Sequence, residues 1–146
     1  MNYRKGFTLI EILIVVSIMA LLTAVIIANV SSARNKSADG AAKAILAQYK
    51  TEVELYANGK TSNYVNACNA DGVFTSSRLA SLQIELYNTT TQSKCGASDS
   101  AYAYAIKYKS NPANGYCIDS TGVAKELKAE QVNDIFNTRQ DISVCL

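Results

Sequence analysis

Four cysteines, Cys68, Cys95, Cys117 and Cys145, are the side chains of this 146-residue chain best able to do covalent chemistry. They are widely spaced, with no Cys-x-x-Cys pair of the kind that binds zinc or cycles as a redox site. An even number in a small exported domain reads instead as two structural disulfides. The sequence contains no His and no Trp. That removes the commonest general base, the commonest nitrogen ligand for metals, and any Ser/His or Cys/His nucleophile pair. No catalytic residue, no cofactor and no metal site is assigned. Asp71-Gly72 and Asp119 come nearest to a cation pattern, yet nothing approaches the Asp-rich spacing of an EF-hand loop. Tyr102, Tyr104, Tyr108 and Tyr116 could offer faces to sugars or bases, but half-buried sheet core is the better reading of that stripe. Net charge is +2 and the basic residues are scattered singly, so no footprint for nucleic acid is present.

The remaining chemical anomaly is Glu11. From Phe7 to Ala33 the chain carries no other charge. These 27 residues (7 to 33) would make a helix of roughly 40 Å at about 1.5 Å per residue, enough to cross a hydrocarbon core of about 30 Å. Residues Ile12 to Ala28 are broken only by Ser17 and Thr23, whose hydroxyls can bond carbonyls one turn earlier. Arg4 and Lys5, just before the run, predict a cytoplasmic N-terminus and an outward-facing remainder. A carboxylate inside such a span is costly and marks a function with a partner nearby. One reading pairs Glu11 with Lys5 at the cytoplasmic interface.

The run Lys5-Gly6-Phe7-Thr8-Leu9-Ile10-Glu11 closely resembles the processing site of type IV prepilins and their pseudopilin relatives. The resemblance implies a leader at residues 1–6, removed by a prepilin peptidase that cuts between Gly6 and Phe7, and N-methylation of Phe7. It also implies an assembly role for Glu11, which guides docking into a growing filament by pairing with the amine of a neighbouring subunit's Phe7. Physical logic agrees, because a buried carboxylate is kept only when paired, and the new Phe7 amine is the one cation the mature apolar segment offers. Cleavage removes Arg4 and Lys5, leaving 12 basic and 12 acidic side chains of the original 14 and 12. Ala20 and Ala28 stand near where many type IV pilins carry a Gly and a Pro, and helix propensity predicts an unbroken segment there. A rival export reading uses Ser31-Ser32-Ala33 as an ordinary signal-peptidase site releasing a soluble domain at Arg34. The apolar stretch is longer than a signal-peptide core, which counts against it.

Beyond residue 33 the spacing of Ala38, Ala41, Ile45, Tyr49, Val53 and Tyr56 traces one apolar stripe, with Lys36, Lys43, Lys50 and Glu54 on the solvent face. This predicts an amphipathic helix over 34–58, ended near Asn58-Gly59 and weakened in its middle by Gly40. Residues 59–100 read as a loop region holding one short helix capped by Ser76-Ser77 and running from Arg78 to Leu82. Tyr102, Tyr104, Ile106 and Tyr108 alternate onto one strand face, and Asn111 to Gly115 is a turn around the only proline. Strands at Tyr116–Asp119 and Val123–Leu127 follow, then a short helix over Ala129–Asn137 and a strand or tie ending at Cys145. Four cysteines allow three pairings; Cys68–Cys95, stapling the loop, and Cys117–Cys145, pinning the C-terminal segment, are favoured.

The expected fold class is therefore α+β: a long N-terminal helix, apolar in residues 7–33 and amphipathic beyond, packed on a small antiparallel sheet in a pilin-like domain over 34–146. The function implied is a pilin subunit, first a single-pass protein of the inner membrane held by lipid and then part of an extracellular homo-polymer built at an assembly platform. Adhesion, motility or DNA uptake would be its service. The alternative is a pseudopilin of a type II secretion or competence system, which shares the same N-terminus.

Overall fold

The computed structural model describes residues 6–60, 64, 65, 67, 68, 77–139 and 142–145. The expected leader up to Lys5, the Asp71-Gly72 pair and the Ser76 cap lie outside them. By internal contacts the chain divides into two units, Met1–Arg34 and Asn35–Leu146. Helix α1 spans Leu9–Lys60, 52 residues.

In the first unit, every described side chain from Phe7 to Arg34 is exposed. Leu, Ile, Val and Met occur on all sides of the helix, and an 18-residue window reaches a mean hydropathy of 2.9, long and apolar enough to cross a membrane. Ser17 donates to the Leu13 carbonyl at 2.8 Å and Thr23 to that of Met19 at 2.7 Å, so both hydroxyls are satisfied inside the helix. The helix continues through positions 20 and 28 unbroken, as helix propensity predicts for a stretch without Gly or Pro.

In the second unit, α1 buries Ala42, Ile45, Leu46, Tyr49, Val53 and Ala57, a stripe stepping by three or four. Its start differs from the expected one. Ala41 is exposed and Ala42 is buried, and Leu46 and Ala57 join the stripe. The expected solvent face also does more than meet water. Lys43 pairs with Glu126 and sits 5.1 and 5.5 Å from the ring centres of Tyr108 and Tyr116, while Glu54 accepts the Tyr64 hydroxyl at 3.0 Å.

Four strands, β1 (Gln92–Ala97), β2 (Tyr102–Lys107), β3 (Gly115–Asp119) and β4 (Ala124–Leu127), form an antiparallel sheet in sequence order. The stretch 59–100, read from sequence as a loop region, contains helix α2 (Ser77–Thr89) and all of β1. Helix α2 continues past Leu82 because Leu86, one turn on, is also buried. Strand β1 forms without a hydrophobic pattern because its backbone pairs along the whole of β2, from Gln92 opposite Lys107 to Ala97 opposite Tyr102.

Both faces of the sheet are covered. Tyr102, Tyr104, Ile106 and Ile118 pack with the α1 stripe and with Leu82 and Leu86 of α2. On the other face Ala103, Ala105, Cys117 and Leu127 pack against Val132, Ile135 and Ile142. Those last residues belong to helix α3 (Ala129–Asn133), its π-helical continuation Asp134–Thr138, and the C-terminal segment. The expected single helix over Ala129–Asn137 thus widens in its last turn, where Lys94 donates to the carbonyls of Ile135, at 2.7 Å, and Arg139. Close approach needs small residues. A Cβ on Gly115 would meet the Ile106 carbonyl oxygen at 2.2 Å and Val132 Cγ2 at 3.4 Å. Gly122, at φ +96°, makes the β3–β4 turn in a conformation that L side chains rarely adopt.

Candidate functional site

Glu11 sits in the first turn of α1 and closes a capping box with Thr8. The Thr8 N–H donates to Glu11 Oε2 at 2.8 Å, the Thr8 hydroxyl donates to the same oxygen at 2.7 Å, and the Glu11 N–H reaches back to Thr8 Oγ1 at 3.4 Å. A helix start leaves four N–H groups without intrahelical partners, and this arrangement satisfies two while placing negative charge at the positive end of the helix dipole. Thr8 was not among the expected site residues. Its signal was present as the spacing Thr-x-x-Glu directly before an apolar run.

Lys5, the cytoplasmic partner expected in one reading of Glu11, lies outside the described residues, as does Arg4. In the uncut chain Phe7 carries a peptide nitrogen, so the amine that the prepilin resemblance offers Glu11 comes only from cleavage. Gly6, Phe7, Thr8 and Glu11 line one concave surface. Phe7 is 82% exposed, and a Cβ on Gly6 would meet nothing within 4 Å. The Gly6–Phe7 peptide is therefore accessible from outside the chain.

The cysteines form Cys68–Cys95 and Cys117–Cys145, with Cα separations of 5.6 and 5.8 Å, inside the usual range. Two buried carboxylates organise the same domain. Asp39 of α1 accepts the Lys109 N–H at 2.7 Å together with the Ser110 N–H and hydroxyl, tying the helix to the loop after β2. Asp119, fully buried, accepts Thr121 N–H at 2.9 Å, Thr121 hydroxyl at 2.6 Å and Val123 N–H at 3.2 Å on Oδ1, and Cys145 N–H at 2.9 Å on Oδ2. Burial pushes its carboxyl up, but the Thr121 hydroxyl and the three N–H donors outweigh burial and hold it below the usual carboxylate range.

Most of the tyrosine stripe is core, with Tyr116 half-buried at its margin. Tyr102, Tyr104 and Tyr108 are buried, and Tyr104 packs edge-on against Tyr49, ring centres 4.9 Å apart. Burial drives the hydroxyl pKa of Tyr49 and Tyr104 upward, as expected of core phenols rather than proton donors in catalysis. Among the described residues no group of three or more Cys, Asp or Glu is placed to hold a metal ion.

The fold and this N-terminus define a pilin-like α+β protein, with an exposed apolar helix ahead of a four-stranded antiparallel sheet. Residues 1–27 match the family described as "Prokaryotic N-terminal methylation motif". Over 66 residues the chain is 44% identical to the type IV wide pilus major component PilA4 of Thermus thermophilus, covering 43% of this chain and 50% of that protein. The chain thus spans about half the length of the curated relative it matches. No solved structure matches it. Motif and relative together support the type IV pilin family for this chain.

Proposed function

We propose that this chain is a type IV pilin subunit, cleaved between Gly6 and Phe7, N-methylated on Phe7, and polymerised through its apolar helix into a surface filament. The observation that carries the reading is the pairing of an apolar helix exposed on all sides with a single carboxylate at its start. Such a surface requires lipid before assembly and other helices after it. That the relative from Thermus thermophilus is a major pilus component supports the same end state.

The capping box gives the reading a sequence of steps. In the membrane, Glu11 is held by Thr8 and by its own helix N-terminus, which makes a carboxylate tolerable there without a second subunit. Cleavage by a prepilin peptidase and methyltransferase creates the Phe7 amine one residue before Thr8. At the assembly platform, Glu11 exchanges a Thr8 bond for the amine of a neighbouring subunit, and the charge pair sets the axial register between copies. Adhesion, motility or DNA uptake are the services that such a fibre performs.

Two measurements test this. Mass and N-terminal sequencing of the mature protein should find methylated Phe7; an unmodified Arg34 start would show ordinary secretion. Glu11→Ala should leave the protein in the membrane but abolish or cripple filaments. Normal piliation in that variant would sink the role given to Glu11, and wild-type chain that never yields long sheared fibres would favour a pseudopilin of a secretion system.

A further inference from the structure

We propose that Asp119 is the positioning residue for closure of the Cys117–Cys145 disulfide, delivering Cys145 to Cys117 before the two sulfurs join. Cys117 and Asp119 are two residues apart on β3 and point to the same face of the sheet. That face receives the C-terminal segment, where Ile142 is buried against Ala103, Ala105 and Leu127. The carboxylate is aimed before the segment arrives. Its Oδ1 is held by Thr121 and Val123 of the adjoining turn, and none of those bonds involves the C-terminal segment. Oδ2 is then directed at the N–H of Cys145 itself.

Joining cysteines 28 residues apart requires the chain to lose loop entropy first. A buried carboxylate that captures the backbone of one of the two cysteines meets part of that cost, and raises the effective concentration of one thiol at the other. The covalent step itself is ordinary thiol–disulfide exchange with a small disulfide oxidant such as oxidised glutathione. One cysteine thiolate attacks the oxidant's S–S bond and expels one glutathione thiolate. The second cysteine thiolate attacks the protein sulfur of the mixed disulfide and expels the other. The protein dithiol is oxidised to one S–S bond, the oxidant is reduced to two thiols, and the two thiol protons end on those products. Asp119 touches neither sulfur and acts only through the position of Cys145.

The second disulfide supplies an internal control, since the Asp119 carboxylate bonds run to Thr121, Val123 and Cys145 and not to Cys68 or Cys95. The full chain in detergent would be reduced, equilibrated in glutathione buffers of graded oxidised-to-reduced ratio, alkylated, digested and weighed by mass spectrometry. In Asp119→Asn the effective concentration of the Cys117–Cys145 pair should fall about 10- to 100-fold, the worth of a hydrogen bond to a charged group. Cys68–Cys95 should stay within about twofold of wild type. Thr121→Val, which loosens the aim of the carboxylate, should lower Cys117–Cys145 alone by a smaller factor, and Thr121→Ser should restore it. An equal fall in both disulfides for Asp119→Asn would show that the carboxylate supports the fold at large and would overturn the proposal. So would a Cys117–Cys145 pair that closes as readily in Asp119→Asn as in wild type.

Discussion

Gly115→Ala is the sharpest test of how the sheet is built. The new methyl carbon would lie 2.2 Å from the Ile106 carbonyl oxygen, well inside the 3.0 Å that real Cβ contacts essentially never cross, and 3.4 Å from Val132 Cγ2. The first obstacle is backbone, so no rotamer change relieves it. β3 must move away from β2 by close to an ångström, at a register where Gly115 lies opposite Lys107 and the Tyr108 N–H bonds the Asn114 carbonyl at 3.0 Å. Separation on that scale strains at least one ladder hydrogen bond at about 0.5–1.5 kcal/mol net and adds overpacking at about 1–3 kcal/mol. We expect a loss of about 2–4 kcal/mol, a large part of a typical domain's stability of about 5–15 kcal/mol. The nine tyrosines and absence of Trp make tyrosine fluorescence the natural probe of urea unfolding, for the full chain in detergent. Gly40→Ala is the control: an added Cβ there meets nothing within 4 Å, so the variant should match wild type or gain up to about 1 kcal/mol. A Gly115→Ala midpoint indistinguishable from that of Gly40→Ala would refute the packing argument.

Two further outcomes follow from buried hydrogen bonds. Tyr49→Phe removes the hydroxyl that donates to the Ala67 carbonyl in the core and should cost about 1–3 kcal/mol in the same unfolding assay; an unchanged midpoint would mean that bond contributes nothing. Asp119 should impose an acid limb on stability. Its folded pKa lies below the ordinary value, so its contribution is complete above the unfolded carboxylate value of about 3.9 and fades as pH falls through the lower folded one. Thermal melts should therefore show the gap between wild type and Asp119→Asn narrowing below about pH 4, and a gap that widens there would contradict the hydrogen-bond account.

The parts of the fold legible in sequence were those with one dominant physical signal. An apolar run of this length, charged only at Glu11, reads as a membrane helix whatever follows it, and the alternation of Tyr102, Tyr104 and Ile106 gives β2 directly. What escaped was set by tertiary partners. Gln92 to Ala97 carries no β-branched or aromatic residue, so nothing local marks β1, and its pairing with β2 decides the matter. Ala103 and Ala105 carry no signal of burial in the sequence; α3, its continuation and the C-terminal segment lie over them. Asp39 and Asp119 are ordinary acidic residues in sequence and become anchors only when distant N–H groups converge on them. Thr8 is a different case, since its Thr-x-x-Glu spacing to Glu11 is a capping signal legible in the sequence alone.

The two cross-links also bear on mechanics. Cys68–Cys95 and Cys117–Cys145 enclose separations of 27 and 28 residues, and each therefore shields roughly 90 Å of contour from any pull on the chain ends, at about 3.3–3.6 Å per extended residue. A chain pulled at its ends can lengthen only outside the two cross-linked spans, in the residues before Cys68, where α1 lies, and in the span between Cys95 and Cys117, which contains β2. Of the four strands, β2 is the one that lies wholly outside both loops, flanked by two segments that force alone does not lengthen.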